Sequence, residues 1–373
     1  MSLARTDNSV VGRWWWTVDR WTLFAVGALI LIGALLILAA SPPVAHRIGA
    51  ESFHFVRRQF IFLIPTFLIV LGISMLAPRD VRRLAIIGFV GALFLTFLTL
   101  IIGHETKGAT RWINVAGISL QPSEFLKPTF AIVSAWLFSQ WRVQEDFPGH
   151  FIAAGLLGMV IAVLAAQPDI GMSAVVFIVW IVQFFLAGLP LVFVALLGVV
   201  AVSGFMGAYF IFPHVAKRVD RFFDPAASES YQVSTAINAF RNGGLFGRGP
   251  GEGRIKASLP DAHTDFILAV AGEEFGLILC LVVVGLFAFV VIRSFARLWH
   301  EENSFVMLAV AGLITQFGLQ SLVNMASTVH LIPTKGMTLP FISYGGSSMV
   351  ALALSMGMLL ALTRKRADMG GGS

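Results

Sequence analysis

Residues 21–40 read WTLFAVGALILIGALLILAA, a run without a single charge. At about 1.5 Å per residue a helix of this length crosses the roughly 30 Å hydrocarbon core of a bilayer. The run is too long for the apolar part of a secretory leader, and no small-residue cleavage site with a soluble domain follows it. It reads as a first membrane-spanning helix. Comparable apolar runs recur near 60–77, 84–102, 124–139, 150–166, 170–187, 190–212, 266–292, 304–325 and 340–362, which makes about ten spans. Those at 124–139, 150–166 and 170–187 are short or crowded, so nine or eleven stay open.

Composition agrees. The 373 residues are 57% hydrophobic and 12% charged, with 33 Phe and 9 Trp, and the mean hydropathy is +0.84. No soluble core hides that much apolar surface, so the expected fold is an all-α polytopic membrane protein. Ten spans put both termini on one side. Arg79, Arg82, Arg83, Arg142, Arg293, Arg297 and the basic cluster at 364–366 would then face the cytoplasm, against Arg47, Arg57, Arg58, Lys107, Arg111 and Lys335 in short outer loops. That bias follows the positive-inside rule. The chain divides into a cytoplasmic segment 1–20 with an interfacial Trp triplet, a transmembrane unit 21–362, and a cytoplasmic tail 363–373 ending in GGGS. Cys280 is the only cysteine, which excludes an intrachain disulfide or a thiolate metal cluster and reads as a small core residue.

An outer segment at 213–265, between the seventh and eighth spans, has room for a site outside the bilayer. Its basic residues (Lys217, Arg218, Arg221, Arg241, Arg248, Arg254, Lys256) nearly balance its acidic ones (Asp220, Asp224, Glu229, Glu252, Asp261, Asp265), so net charge decides nothing. Val233, Ala236, Ile237 and Phe240 in YQVSTAINAFRN recur at helical spacing and predict a helix with one apolar face. The following GGLFGRGPGEG (243–253) fits no nucleotide-binding fingerprint. It reads either as a flexible surface turn or as a set of backbone N–H groups that, with Arg248 and Arg254, could meet a phosphate.

Ionisable groups beside apolar spans are costly and mark sites by default. Asp265, in LPDAHTDF (259–266), stands where the eighth span begins; it fits a helix N-cap, and with His263 close by it also fits a proton acceptor for a substrate hydroxyl. Glu273 and Glu274 lie roughly 12 Å deeper along that helix and need partners or protons. Glu124 and Lys127 in QPSEFLK can pair on one helix face. Asp169 in QPDIG fits a turn or cap. The outer cations around a membrane-surface carboxylate suit an anionic, lipid-linked substrate.

Four segments carry a resemblance. TRWINVAGISLQPSEFLK (110–127), AQPDIG (166–171), LPDAHTDFILAVAGEEFG (259–276) and PTKGMTLPFISYGGSS (333–348) resemble the signature segments of the SEDS glycosyltransferases, over a span from about Arg58 and Gln59 to the last helix. PTKG and GEGRIK look more like the divisome branch than the elongasome branch; Asp261, Leu268 and His330 depart from the usual pattern. The resemblance implies polymerisation of lipid II, an undecaprenyl diphosphate-linked disaccharide pentapeptide, into β-1,4 glycan at the outer face of the inner membrane, at the septum. It implies a class B penicillin-binding protein of the FtsI kind as partner, with divisome membrane proteins of the FtsQ, FtsL, FtsB and FtsN kinds, and no nucleic acid. It assigns the essential carboxylate to Asp265, a family ion pair to Glu124 and Lys127, and cavity-facing cations to Arg58, Arg111, Arg218, Arg221, Lys256 and Lys335. No resident cofactor is firmly implied, although a divalent cation such as Mg2+ could accompany the diphosphate. Three other readings stay open: a flippase for the same lipid, kept alive by Glu273, Glu274 and Lys127; an elongation polymerase of the elongasome branch; and a scaffold for division proteins.

Overall fold

The computed structural model describes residues 9–106, 109–115, 118–144, 146–211, 213–223, 228–333 and 336–365. In chain order the elements are α1 (Val10–Thr17), α2 (Arg20–Arg47), α3 (His54–Ser74), α4 (Pro78–Ile102), β1 (His104–Thr106), β2 (Ala109–Val115), β3 (Ile118–Leu120), α5 (Pro122–Val143), α6 (Gly149–Ala166), α7 (Ile170–Leu186) and α8 (Leu191–Ile211). They continue with α9 (Pro213–Phe223), α10 (Ser228–Gly243), a 3-10 turn Ile255–Ala257, α11 (Ile267–Leu298), α12 (Ser304–Thr328) and α13 (Gly346–Leu362). Each apolar run of the sequence is one helix: α2 to α8, then α11 to α13.

Seven of these helices (α2, α3, α4, α6, α8, α11 and α12) are long and apolar enough to cross a membrane, and α7 and α13 are shorter apolar helices. The remaining one, α5, carries Glu124, Lys127 and Arg142 and is buried along most of its length. Protein rather than lipid surrounds it, which is why its sequence tolerates polar groups that a lipid-facing helix would not. By contrast α8 is exposed along nearly all of its length. The amphipathic helix expected at 231–242 lies within α10, with Val233, Ala236 and Ala239 buried. Cys280 is buried in α11.

The helical membrane fold is as expected, with one small addition: between α4 and α5 the chain forms an antiparallel meander in the order β1-β2-β3, with Ile113 opposite Leu120 and His104 opposite Trp112. The β-branched and aromatic residues of TRWINV favour an extended chain there over a loop. The last span also starts later than 340, because residues 340–345 make a turn that packs on α2. A Cβ at Gly33 would lie 2.3 Å from the Phe341 carbonyl oxygen, so only glycine lets the two backbones approach this closely.

The two ends of the bundle differ. At one end Asp19 is buried and accepts hydrogen bonds from Arg293 at 2.8 and 3.1 Å and from Thr22 at 2.8 Å, and it pairs with Arg297 at 3.0 Å. Arg297 also donates to the Thr363 carbonyl, and Arg364 to the Met75 carbonyl and the Thr17 hydroxyl. The two terminal segments therefore meet at the same end, as an even number of crossings requires. Burial raises the Asp19 carboxyl, but the bonds from Arg293 and Thr22 and the charges of Arg297 and Arg293 outweigh it and hold the group below its ordinary 3.8. A depressed value makes this clamp complete at neutral pH and lost only as pH falls below 3.8 through the folded value. Asp19→Asn is expected to lower stability at pH 7 by about 2 kcal/mol, the scale of a hydrogen-bonded ion pair. Melting in detergent across pH 3 to 7 should show a shallower acid decline for the variant than for wild type.

Candidate active site

At the opposite end lie the starts of α3, α5, α11 and α13. Asp265 is half-buried in a turn at 260–266 that runs directly into α11. The N-cap of α11 is Phe266, and it makes no side-chain cap bond; Asp265 thus stands one residue outside the cap position expected for it. Its main chain is held from α12. The Asp265 carbonyl accepts from Asn324 at 3.1 Å and from Thr328 at 3.4 Å, while Asn324 also donates to the Met337 carbonyl at 2.6 Å. The carboxylate comes within 3.6 Å of the point where a Cβ on Gly336 would stand.

The segment 336–346 wraps the other side. Ser343 donates to the Thr264 carbonyl at 2.6 Å and accepts from the Leu339 N–H, and the Tyr344 N–H donates to the His263 carbonyl at 2.9 Å. The His263 ring packs between Phe55 at 4.3 Å and Tyr344 at 5.4 Å. Arg58, exposed on α3, interacts with the Tyr344 hydroxyl. Two residues with left-handed backbone flank the turn: Asp261 at φ 51 and Phe341 at φ 62. A short polar side chain tolerates that region better than a longer one, which gives a physical reason for Asp261. A buried Phe there marks a conformation imposed by its surroundings.

Lys127 and Glu124 form a buried ion pair at 2.9 Å, and Lys127 donates to Gln320 at 2.8 Å. Gln320 donates onward to the Thr338 carbonyl at 3.1 Å, and the Thr338 and Ser348 hydroxyls are 2.7 Å apart. The pair therefore buttresses Thr338, next to Met337, whose carbonyl shares the Asn324 amide with that of Asp265. Arg111, on β2, donates to the Pro168 carbonyl at 2.7 Å and pairs with Asp169 at 3.4 Å, and Asp169 caps α7 by accepting from Met172.

Glu273 and Glu274 are fully buried and have found partners. Glu273 accepts the N–H groups of Arg254, Ile255 and Lys256 at 2.8 to 2.9 Å and the Asn242 amide. Glu274 accepts the Gly251 N–H at 3.1 Å and pairs with Lys256, whose ammonium also donates to the Ala39 carbonyl. The glycine-rich stretch is thus neither a free surface turn nor an open set of phosphate donors. It is inserted into a break in α11, where Gly276 adopts φ 79 and the Leu277 and Ile278 N–H groups donate to the Gly244 and Leu245 carbonyls instead of to their own helix. A Cβ on Gly276 would lie 2.3 Å from the Leu245 oxygen.

His263 and Arg58 both meet Tyr344, His263 in the same turn as Asp265, and Glu124 and Lys127 reach Thr338 through Gln320. Lys256 is instead spent on Glu274, and Arg111 on the α6–α7 corner. Arg218 and Arg221 belong to α9 by backbone, their side chains falling outside what is described; Lys335 and Lys107 lie outside the described residues. The sequence reading missed Asn324, Gln320 and Thr328, which with Gln316 recur at every fourth position of α12 and are all buried. A stripe of amides in an apolar span was the available signal. Among the described residues there is no group of three or more His, Cys, Asp or Glu that could hold a metal ion.

Fold and site together define a polytopic helical membrane protein with Asp265 at the rim and a glycine-rich loop locked into a broken helix. A family model described as "Cell cycle protein" (FTSW_RODA_SPOVE) matches residues 20–368, and the chain belongs to that family. It is 46% identical over 366 residues to the probable peptidoglycan glycosyltransferase FtsW of Caulobacter vibrioides, covering 98% of this chain and 94% of that one. The FtsW of Escherichia coli O157:H7 is 31% identical over 354 residues, 92% of this chain and 85% of the relative. Among solved structures, a chain from a study of how a peptidoglycan synthase complex coordinates polymerization and crosslinking aligns with TM-score 0.75 and 26% identity, over 93% of this chain and 97% of that chain. The rod shape determining protein RodA of Thermus thermophilus shares the fold at TM-score 0.67 and 24% identity, over 94% of this chain and 97% of that chain.

Removing one side of the loop lock leaves a buried charge alone. Glu274→Ala is expected to cost about 3 kcal/mol or more by stranding Lys256. Limited proteolysis should then cut within 244–256, where wild type resists.

Proposed function

We propose that this protein is a peptidoglycan glycosyltransferase that polymerises lipid II during septal wall synthesis at the inner membrane, working with a class B penicillin-binding protein. The observation that carries the reading is Asp265: a half-buried carboxylate in the turn that opens α11, its backbone carbonyl fixed by Asn324 and Thr328 of α12. Kinship with enzymes named peptidoglycan glycosyltransferases supports it, and the likeness to a chain of a peptidoglycan synthase complex supports a partner that crosslinks.

In this reading Asp265 takes the proton of the acceptor sugar's 4-hydroxyl as its oxygen bonds the donor's anomeric carbon. The bond from that carbon to the lipid diphosphate breaks, and the configuration inverts from α to β. The leaving group departs as an anion, so it needs cations and N–H donors rather than a protonated acid, and a single carboxylate suffices where most glycosidases use two. Arg58 faces that side of the site.

The flippase reading draws on Glu273, Glu274 and Lys127, yet all three are engaged in holding loop and wall. The discriminating experiment is polymerisation of purified lipid II by the complex with its cognate penicillin-binding protein, transpeptidase disabled. Asp265→Ala should lower glycan formation by at least about a hundredfold, the scale of a lost general base, with partner binding and melting unchanged. Glycan from the variant at the wild-type rate would remove Asp265 from the chemistry; no glycan from an intact wild-type complex would remove the polymerase reading.

A further inference from the structure

α13 opens at the outer rim without help. Its N-cap, Gly345, supplies no side-chain cap, and the first-turn N–H groups of a helix have no acceptor within it. The neighbouring hydroxyls are engaged elsewhere: Ser347 accepts from the Gln121 N–H at 3.0 Å and donates to the Ser119 carbonyl, and Ser348 meets Thr338. Gly345 and Gly346 are partly exposed, so the backbone can be approached closely. Such a terminus favours an anion by both its N–H groups and its dipole.

A second, independent feature points to the same place. Gln59 on α3 is 0% exposed, and neither its amide oxygen nor its amide nitrogen has a partner. It lies on the face of α3 between Phe55 and Phe62, four residues after one and three before the other. The Phe55 ring meets Tyr344 at 5.1 Å, and the Phe62 ring fills the space that a Cβ on Gly346 would need, at 2.4 Å. Gln59 thus shares the face of α3 that packs on 344–346, the approach to α13. An unpartnered amide in an apolar helix is costly, and a leucine in this stripe would avoid that cost.

We propose that the first turn of α13, with Gln59 beneath it and Arg58 at its mouth, binds the diphosphate of a prenyl-linked substrate. The inference rests on the polymerase reading and locates its leaving group. Nε2 would donate to a phosphate oxygen alongside the helix N–H groups. The site is tied to the base: Tyr344 and Ser343 bond the carbonyls of His263 and Thr264, next to Asp265. Base and leaving-group pocket thus flank one reacting carbon.

The test uses the full chain in detergent, with farnesyl diphosphate, farnesol and inorganic pyrophosphate as probes and calorimetric binding and melting as readouts. Gln59→Leu and Gln59→Met should each weaken farnesyl diphosphate binding about tenfold or more, the worth of a hydrogen bond to a charged group, leave farnesol unaffected, and melt no lower than wild type. Unchanged diphosphate affinity in the folded variants would overturn the proposal. So would a large loss of stability in both, which would make Gln59 a structural residue. Pyrophosphate binding as tightly as farnesyl diphosphate would overturn the lipid-linked source. Gln59-dependent binding together with an inactive wild-type complex would sink the polymerase reading and leave the diphosphate site standing, whereas active polymerisation with Gln59-independent binding would do the reverse.

Discussion

Two adjacent carboxylates in the first half of a membrane helix impose the main constraint on this molecule. Glu273 and Glu274 have no water to turn to, so every strong acceptor site must be met by protein. The sequence meets them with a loop rather than with another helix, and that loop carries glycines because only glycine lets its backbone lie against that of α11. The break at Gly276 then releases helix N–H groups, which the same loop satisfies. Charge, glycine content and helix break are one device, and none is sensible without the others. The device fixes residues 251–256, from which the chain runs directly to the turn bearing Asp265.

Around Asp265 the division of labour is between backbone and side chain. Asn324 and Thr328 hold its carbonyl, and Ser343 and Tyr344 hold the two carbonyls before it. This arrangement fixes the turn on either side of the carboxylate through main-chain bonds, which suits a group that must be precisely placed to accept a proton. The buried ion pair Glu124–Lys127 acts from a distance, through Gln320, on Thr338, in the segment that borders the Asp265 turn.

The spans were legible because a membrane demands long apolar runs, and the pattern is nearly independent of tertiary contacts. The candidate base was legible because charge at a span boundary is conspicuous. What could not be read were partnerships across the fold. Lys256 looks like any outer cation until its ammonium is seen on Glu274, and GGLFGRGPGEG looks like a surface turn because glycine signals both freedom and tight backbone packing. The strands at 104–120 hid for a related reason: two of them are only three residues long, too short for an alternation to stand out. Asn324 and Gln320 were visible as polar letters in an apolar span, but amides carry no charge to draw attention.

The polar central helix also bears on how the chain is made. Lipid alone gives α5 little reason to stay in the bilayer, since Lys127 and Glu124 sit in its first turns. The amide that completes the coordination of Lys127 is Gln320, translated 193 residues later. Until α12 emerges, α5 must be sheltered by its earlier neighbours or by the insertion machinery. Biogenesis of this bundle is therefore ordered from its edges inward, with the centre settled last.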